Sequence, residues 1–504
     1  MKKSEESTIS NYQKNMSDIL FSHSYYYKLD PKQWKNRTPF PPLGTLSAAS
    51  LLRKNGYNVS LFDTNLLDHP YAIEPTLESQ RPKYLVIYDD GFNYLTKMCL
   101  TNMREACFQM IALGKDHECT VIISSSDATD HYSEYLEKGA DYIIQGEGEL
   151  TLLELINTLE QQATVADISG IVFKLPTGET AQLQVNAKRP VMNNLDELPF
   201  PAWDLVDMNA YKVIWAGSGQ QFTLNIATTR GCPYKCNWCA KPIYGNRYNS
   251  HSPQYIAQHI ELLRTSYGVR RFWMCDDIFG LKPNWVQEFS RQLVEKKLNI
   301  QYYIQSRVDL LLKEDTIDAL AASGLEEVWV GAESASQKIL DAMDKGTKVE
   351  QIYEATQLLR KKNIRVAFFL QFGYLDENQE DIFKTIGMVK ELMPDNIGIS
   401  VSYPLPGTPF YEKVKEDLKL KSNWKDSDDF EMMFNGTYNS GYYRKLQRFV
   451  HKEFRKSQGI SNLKLMARNP LKLSFSKLIS VMKLGYYFPS AFFDTMLLKK
   501  LQNE

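Results

Sequence analysis

The chain has 504 residues, enough for two or three domains of ordinary size. Apolar residues make up 43% and charged residues 24%, with a net charge of −1, which excludes general disorder and any global attraction to nucleic acid. The opening residues are polar and lack the apolar core of a secretory signal, and the most apolar long stretch, Leu478 to Leu498, is broken by Lys483, Pro489 and Asp494, so a cytoplasmic protein is expected.

The seven cysteines are an odd number and are not spread like a disulfide framework. Cys232, Cys236 and Cys239 fall within one short segment, which in a reduced compartment reads as metal ligation. Charge is uneven. From Gly441 to the end there are thirteen Lys or Arg against three Asp or Glu, a net of +10, so the preceding 440 residues carry −11.

In chain order, a short apolar piece (Ile19-Leu20-Phe21) runs into Tyr25-Tyr26-Tyr27. Pro41-Pro42-Leu43-Gly44 opens a helix that stops at Asn55-Gly56, followed by a strand from Asn58 to Phe62. Tyr84 to Tyr88, Thr120 to Ser124 and Asp141 to Ile144 are apolar runs of the kind buried in a parallel sheet. Gly146-Glu147-Gly148-Glu149 leads from the last of these into a further helix. Alternating strand and helix predicts a doubly wound α/β domain. A β-like stretch, Ile168 to Lys174, then precedes a Gly-containing turn. Leu195 to Trp203, with two prolines in three residues, reads as a linker.

A second alternating series has strand candidates at 222–227, 271–275, 300–305, 327–332, 364–371 and 396–402. Helical patterns fall between them, among them Pro253 to Thr265, Trp285 to Lys296 and Val349 to Lys361. Six βα units suggest a partial or complete barrel with its chemistry at the carboxyl ends of the strands. The expected organisation is a first domain over 1–190, a linker over 191–208, the barrel over 209–420 and a basic helical region over 421–504.

Thr229-Arg230-Gly231-Cys232-Pro233-Tyr234-Lys235-Cys236-Asn237-Trp238-Cys239 follows the first barrel strand. Iron–sulfur cubanes take four thiolates, so three close cysteines leave one iron open to a small chelating molecule. A zinc site is the plainer alternative, but it calls for paired C-x2-C units or a fourth ligand at a recognisable spacing, and neither His251 nor His259 provides one. Cys99, Cys107 and Cys119 read as buried thiols, the first two on one helix and the third starting a strand.

C-x3-C-x2-C with an aromatic before the last cysteine is the signature of radical S-adenosylmethionine (SAM) enzymes, which this segment resembles. The resemblance covers about residues 40 to 415. PPLGTLSAASLLRKNGYNVSLFD and ADYIIQGEGE resemble the cobalamin-binding domain of the B12-dependent radical SAM family, and LDELPFPAWDLV resembles its linker. FWMCDDIF, QSRVD, VGAESAS, FGYLDENQEDI and PLPGTPFYE resemble its later strand ends.

The resemblance implies a [4Fe–4S] cluster on Cys232, Cys236 and Cys239, with Trp238 bordering the adenine of SAM. Asp276, Arg307 and Glu333 would contact SAM or order the site, with a salt-bridge network at the barrel mouth as the alternative. Gly373 would admit the ligand or serve only as a turn. Gly44, Gly146 and Glu147 lie at strand–helix junctions where the polar periphery of cobalamin can meet helix N-termini. The Asp-x-His-x-x-Gly motif of methionine-synthase-like domains is missing, and His23 reads as an ordinary loop histidine.

The implied activity is reductive cleavage of SAM and cobalamin-dependent methylation of an unactivated carbon in a small-molecule or lipid-like substrate. Electrons would come from a donor such as flavodoxin or ferredoxin. A cyclase or rearrangement enzyme would share these motifs, and a cobalamin- or metal-binding module without turnover is the alternative outside enzymes. In the basic tail, Leu446, Phe449, Val450 and Phe454 lie at helical spacing among Arg444, Lys445, Arg448, Lys452, Arg455 and Lys456. That stripe either packs on the barrel or enters an anionic membrane surface, helped by Tyr486-Tyr487-Phe488 and Phe492-Phe493.

Overall fold

The computed structural model describes residues 18–92, 94–175, 182–421, 423–468 and 475–502. Its first strands are β1 (Ile19–Ser22), β2 (Val59–Phe62), β3 (Tyr84–Tyr88), β4 (Thr120–Ser124), β5 (Tyr142–Ile144), β6 (Ile171–Lys174) and β7 (Leu183–Val185). They form one sheet in the order β2-β1-β3-β4-β5-β6-β7, parallel through β5 and antiparallel beyond it. β1 and β3 are buried along their whole length, as central parallel strands are. The chain leaves β1 for β2 on one side and returns to β3 on the other. That reversal is a topological switch point, where open α/β sheets hold ligands beyond the strand ends.

Helices Leu43–Lys54, Thr101–Asp116 and Glu149–Glu160 lie between the strands. Ala48, Ala49 and Leu52 of the first helix and Leu152, Leu155 and Ile156 of the third pack with Phe21, Val86 and Ile144 in one core. The Gly-containing turn expected after Lys174 lies outside the described residues. The Pro-rich stretch runs as two short 3₁₀ turns. Leu195 and Trp203 are buried, and the Trp203 indole donates to His259 Nε2 at 2.8 Å.

The second series contains β8 (Leu224–Ile226), β9 (Thr229–Arg230), β10 (Asn249–Ser250), β11 (Arg271–Met274), β12 (Gln301–Ser306), β13 (Leu325–Glu333), β14 (Arg365–Phe372) and β15 (Asn396–Val401). Six of them make a parallel sheet in the order β15-β14-β13-β12-β11-β8. All six strands were expected within a few residues of these bounds. The antiparallel ribbon of β9 and β10 was not, since two-residue strands carry no periodicity.

By packing the chain divides into two compact units, one of residues 1–233, 241–277 and 423–429, the other of 234–240, 278–422 and 430–504.

In the second unit, helix Ser440–Arg468 packs against helix Gln379–Leu392 and against helices Phe475–Met482 and Leu484–Leu501. Leu446, Phe449, Val450 and Phe454 are buried there, so of the two readings of this stripe the structure shows the packed one. Its charges are also partly spent inside: Lys445 and Lys452 both reach the buried Asp494, at 2.7 and 2.6 Å. No helix among the described residues is long and apolar enough to cross a membrane. Cys99 is another correction. It precedes helix Thr101–Asp116 in left-handed backbone, so it shares no helix with Cys107, although Cys99, Cys107 and Cys119 are all buried as expected.

In the first unit, one ion cluster ties the start of the cysteine segment to the β5 end. Arg230 is buried, and its guanidinium donates to Glu147 Oε1 at 2.5 Å and Glu149 Oε1 at 2.7 Å. The rings of Phe92 and Tyr244 each lie 5.6 Å from it. Burial works against its charge, and Glu149, Tyr244 and Glu147 outweigh that. Arg230→Met strands two buried carboxylates and is expected to cost about 3–5 kcal/mol in chemical denaturation. Adding Glu147→Gln and Glu149→Gln should recover most of the loss. A single substitution costing under about 1 kcal/mol would contradict this account.

Candidate active site

The cysteine segment is anchored from below by Asp276, which follows β11. Its buried carboxylate accepts from the Thr228 N–H (2.6 Å), the Thr229 N–H (2.7 Å) and the Thr228 hydroxyl (2.6 Å). Burial pushes this carboxyl up to about 7 against the pull of the three donors. Gly231 then turns the chain with φ +78°. A Cβ there would fall 2.4 Å from the Arg247 carbonyl oxygen, so no other residue fits before Cys232.

In the second unit, Cys236 and Cys239 share a turn closed by the Cys239 N–H on the Cys236 carbonyl at 3.2 Å. Asn237 between them is buried and fully used. Its amide donates to Ala342 O (2.7 Å) and Asp344 Oδ2 (2.8 Å), its Oδ1 accepts from the Tyr374 hydroxyl (2.8 Å), and its backbone bonds Met343 and Phe410. Cys236 Sγ lies 3.9 Å from Arg307 Nη1, and Arg307 stacks over the Tyr234 ring at 3.7 Å while chelating Asp309. Glu333, in left-handed backbone at the end of β13, holds Lys345 at 2.8 Å. Burial tends to discharge Lys345, but Glu333 and Cys236 hold its pKa above the ordinary value. Two cations thus flank Cys236.

The three cysteines of the segment are partly exposed, whereas Cys99, Cys107, Cys119 and Cys275 are buried. Among the described residues no three His, Cys, Asp or Glu side chains converge on a point that would hold a single ion. A cubane asks for something else, since each of its thiolates binds a different iron. Trp238 Nε1 is buried with no partner among the described residues, a donor left for a ligand. These features fit a cluster with a small molecule beside it.

Gly373 ends β14 with φ +78°, and a Cβ there would press on Tyr443 and Met432 at 3.1 and 3.2 Å. Its N–H donates to Glu377 Oε2 at 2.6 Å. Glu377 is wholly buried, its Oε1 has no partner among the described residues, and burial pushes its carboxyl up to about 8.

In the first unit a cleft at the carboxyl ends of β3, β4 and β5 is lined by Gly44, Asp90, Ser124, Ser125, Ser126 and Gly146. The Gly44 N–H donates to Asp90 Oδ1 at 3.2 Å. Burial lifts the Asp90 carboxyl to about 6. Glu147 is committed elsewhere, Oε1 to Arg230 and Oε2 to the Met192 N–H. Gln145 Oε1, beside this cleft in sequence but outside its lining, is buried without a partner among the described residues. His23 is no ordinary loop histidine. It is buried, its Nε2 meets Asp63 Oδ1 at 2.9 Å, and the Tyr211 hydroxyl holds the other Asp63 oxygen.

Sequence reading did not single out Arg230, Asn237, Lys345 or Glu377. Arg230 and Asn237 lie inside the cysteine segment, and their position there was the available signal.

Asn237→Ala removes three side-chain hydrogen bonds made by a buried residue, for an expected cost of about 2–4 kcal/mol and poorer retention of iron on gel filtration. Unchanged stability and iron content would contradict the anchoring role. Glu377 yields a pH dependence. Its folded value, about 8, lies above the ordinary glutamate value of about 4.5, so between the two the folded chain keeps a proton that the unfolded chain releases. Its contribution is full below that window and is lost as pH rises through it. Glu377→Gln removes the titration, so its melting-temperature advantage over the parent should grow between about pH 5 and pH 8 and level off above that.

Residues 226–389 match the family model described as the Radical SAM superfamily. An uncharacterized methyltransferase of Pyrococcus horikoshii is 27% identical over 77% of this chain and 82% of its own. An anaerobic magnesium-protoporphyrin IX monomethyl ester cyclase of Rubrivivax gelatinosus is 24% identical over 80% and 71%. The hopanoid C-3 methylase of Methylococcus capsulatus is 26% identical over 75% and 70%. Among solved structures, the radical SAM methyltransferase TsrM of Kitasatospora setae, with cobalamin and a [4Fe–4S] cluster bound, superposes with a TM-score of 0.66 at 18% identity, covering 80% of this chain and 78% of its own. The cobalamin-dependent radical SAM enzyme OxsB, with aqua-cobalamin bound, gives 0.70 at 17% identity, covering 96% and 72%. These likenesses establish the shared fold, and it is residues 226–389 that match the Radical SAM superfamily.

Proposed function

We propose that this protein is a cobalamin-dependent radical SAM methyltransferase acting on an unactivated carbon of a small-molecule or lipid-like substrate. The observation that carries the reading is the cysteine segment itself: three accessible thiols beside a cationic bracket on Cys236, in a chain whose fold follows OxsB over 96% of its length. When bound, the cluster, SAM and cobalamin supply electron transfer, the 5′-deoxyadenosyl radical and the methyl group.

The chain's own part is to hold and orient. We assign Cys232, Cys236 and Cys239 to the cluster, Trp238 to the adenine edge, and Asp276, Arg307, Glu333 and Gly373 to the SAM surroundings. Asp276 keeps the segment's entry rigid through Thr228 and Thr229. Arg307 and Lys345 flank Cys236. Gly44, Gly146 and Glu147 are assigned to the cobalamin side, Glu147 acting through its grip on Arg230. In this reading residues 1–190 bind cobalamin, 191–208 link, 209–420 form the radical SAM barrel, and 421–504 add a basic region that meets a membrane surface. A flavodoxin or ferredoxin of the cytoplasm would deliver the electron. Cyclisation without methyl transfer is the second reading, favoured by the likeness to the Rubrivivax gelatinosus cyclase.

Anaerobic reconstitution should load about four iron and four sulfide per chain and support reductive cleavage of SAM to 5′-deoxyadenosine. Cys232→Ala, Cys236→Ala and Cys239→Ala should each abolish cleavage, while Cys99→Ala and Cys107→Ala should leave it intact. Full cleavage by any variant of the first three would remove the basis of the reading. With cobalamin and a substrate pool, product mass should rise by one methyl for hydrogen, and an unchanged carbon count would favour cyclisation.

A further inference from the structure

Helix Leu484–Leu501 is turned the wrong way round for a water-facing helix. Its inner face carries Leu484, Ala491 and Leu498 together with the buried Asp494, which is held by Lys445 and Lys452. Its outer face carries Tyr486, Phe488, Phe492, Phe493, Met496 and Leu497, with no charge until Lys499 and Lys500. Phe492 and Phe493 are 65% and 61% exposed, and on the preceding helix Phe475 and Met482 are 77% and 74% exposed. Contiguous exposure of this kind on a soluble chain marks a surface that something covers.

The surroundings say what. Beside these helices lies a cleft of about 710 Å³ whose cations are Arg455, Lys477 and Lys483, joined by Asn462, Ser480 and Tyr487. None of the three cations forms an ion pair among the described residues. Asp395 is the acid in the lining, and its Oδ2 is engaged by the Val366 N–H at 2.9 Å. From Phe475 to Gln502 the sole acidic residue is Asp494, and it faces inward.

We infer that the two C-terminal helices are a docking surface for an anionic phospholipid bilayer, with the aromatic face seated among acyl chains and the Arg455–Lys477–Lys483 cleft taking a lipid phosphate. Aromatic and apolar insertion next to a cationic cleft is the arrangement that an interfacial helix uses. A second copy of the chain is disfavoured as occupant, because it would set two such cationic clefts near one another. The inference rests on the reading that the basic region meets a membrane, and it locates the contact on residues other than the buried stripe of helix Ser440–Arg468.

The test is flotation of the full-length reconstituted protein with vesicles of phosphatidylcholine alone and of phosphatidylcholine mixed with phosphatidylglycerol. Binding to the mixed vesicles, weakening as salt is raised, is expected. Lys477→Glu/Lys483→Glu and Phe492→Ser/Phe493→Ser should each weaken it by on the order of tenfold or more, with far-ultraviolet circular dichroism unchanged. Reductive SAM cleavage by both variants should match the parent, so loss of docking is told apart from failure of the radical SAM reading. Indifference to both vesicle types at low salt would overturn the inference. So would equal binding to phosphatidylcholine alone, or a dimer on gel filtration that Phe492→Ser/Phe493→Ser converts to monomer while vesicles are ignored.

Discussion

The site depends on a buried arginine that the chain cannot release. Arg230 sits one residue before the glycine that turns the cysteine segment, and two carboxylates from the β5 end clamp it at 2.5 and 2.7 Å. Removing such a charge from water is expensive, and only a facing pair of anions in good geometry offsets it. The same arrangement that fixes Arg230 fixes the turn of Gly146 to Glu149. The segment that carries the first thiol and the turn that borders the first-unit cleft are therefore positioned by one interaction. A displacement of either is felt by the other.

A second constraint is that the segment is held at several points by different chemistry. Asp276 gathers the peptides of Thr228 and Thr229, and Asn237 meets Ala342, Asp344 and Tyr374. Both use short polar side chains whose hydrogen bonds are specified in direction as well as distance. A loop fixed in this way keeps its thiols in place before any cofactor arrives, which lowers the entropy cost of binding one.

The fold was legible in the sequence because its strands are apolar runs separated by helices of ordinary length. Tyr84 to Tyr88 and Thr120 to Ser124 announce a buried parallel sheet, and the barrel strands fall within a few residues of expectation. Much of what was not legible depends on contacts between distant residues. His23 reads as an isolated histidine until folding brings Asp63 to 2.9 Å, and Glu147 reads as part of a ligand-facing turn until Arg230 arrives. Cys99 was misplaced for a local reason, since the helix starts two residues after it. The tail shows the limit of amphipathy as a signal. Periodicity identified the stripe Leu446–Phe449–Val450–Phe454 as a face to be covered, but protein and lipid cover such a face equally well in a pattern. Only the packed structure shows that neighbouring helices cover it and that the apolar face left outside is on the last helix.

Asn237 has a chemical consequence of its own. Asparagine side chains age by losing ammonia, through attack of the following peptide nitrogen on the side-chain carbonyl, and each such event replaces the amide with a carboxylate. At this position the new carboxylate would stand where the amide now donates to Asp344 Oδ2 at 2.8 Å, setting anion against anion between Cys236 and Cys239. The surrounding contacts also supply the protection. With its N–H on Met343 O, its carbonyl under the Phe410 N–H and its side chain tied at both ends, Asn237 has little freedom to reach the cyclic geometry that the loss requires. Chemical longevity of the segment is thus a by-product of its hydrogen bonding, and a chain that loosens these contacts in storage would be expected to lose its iron irreversibly.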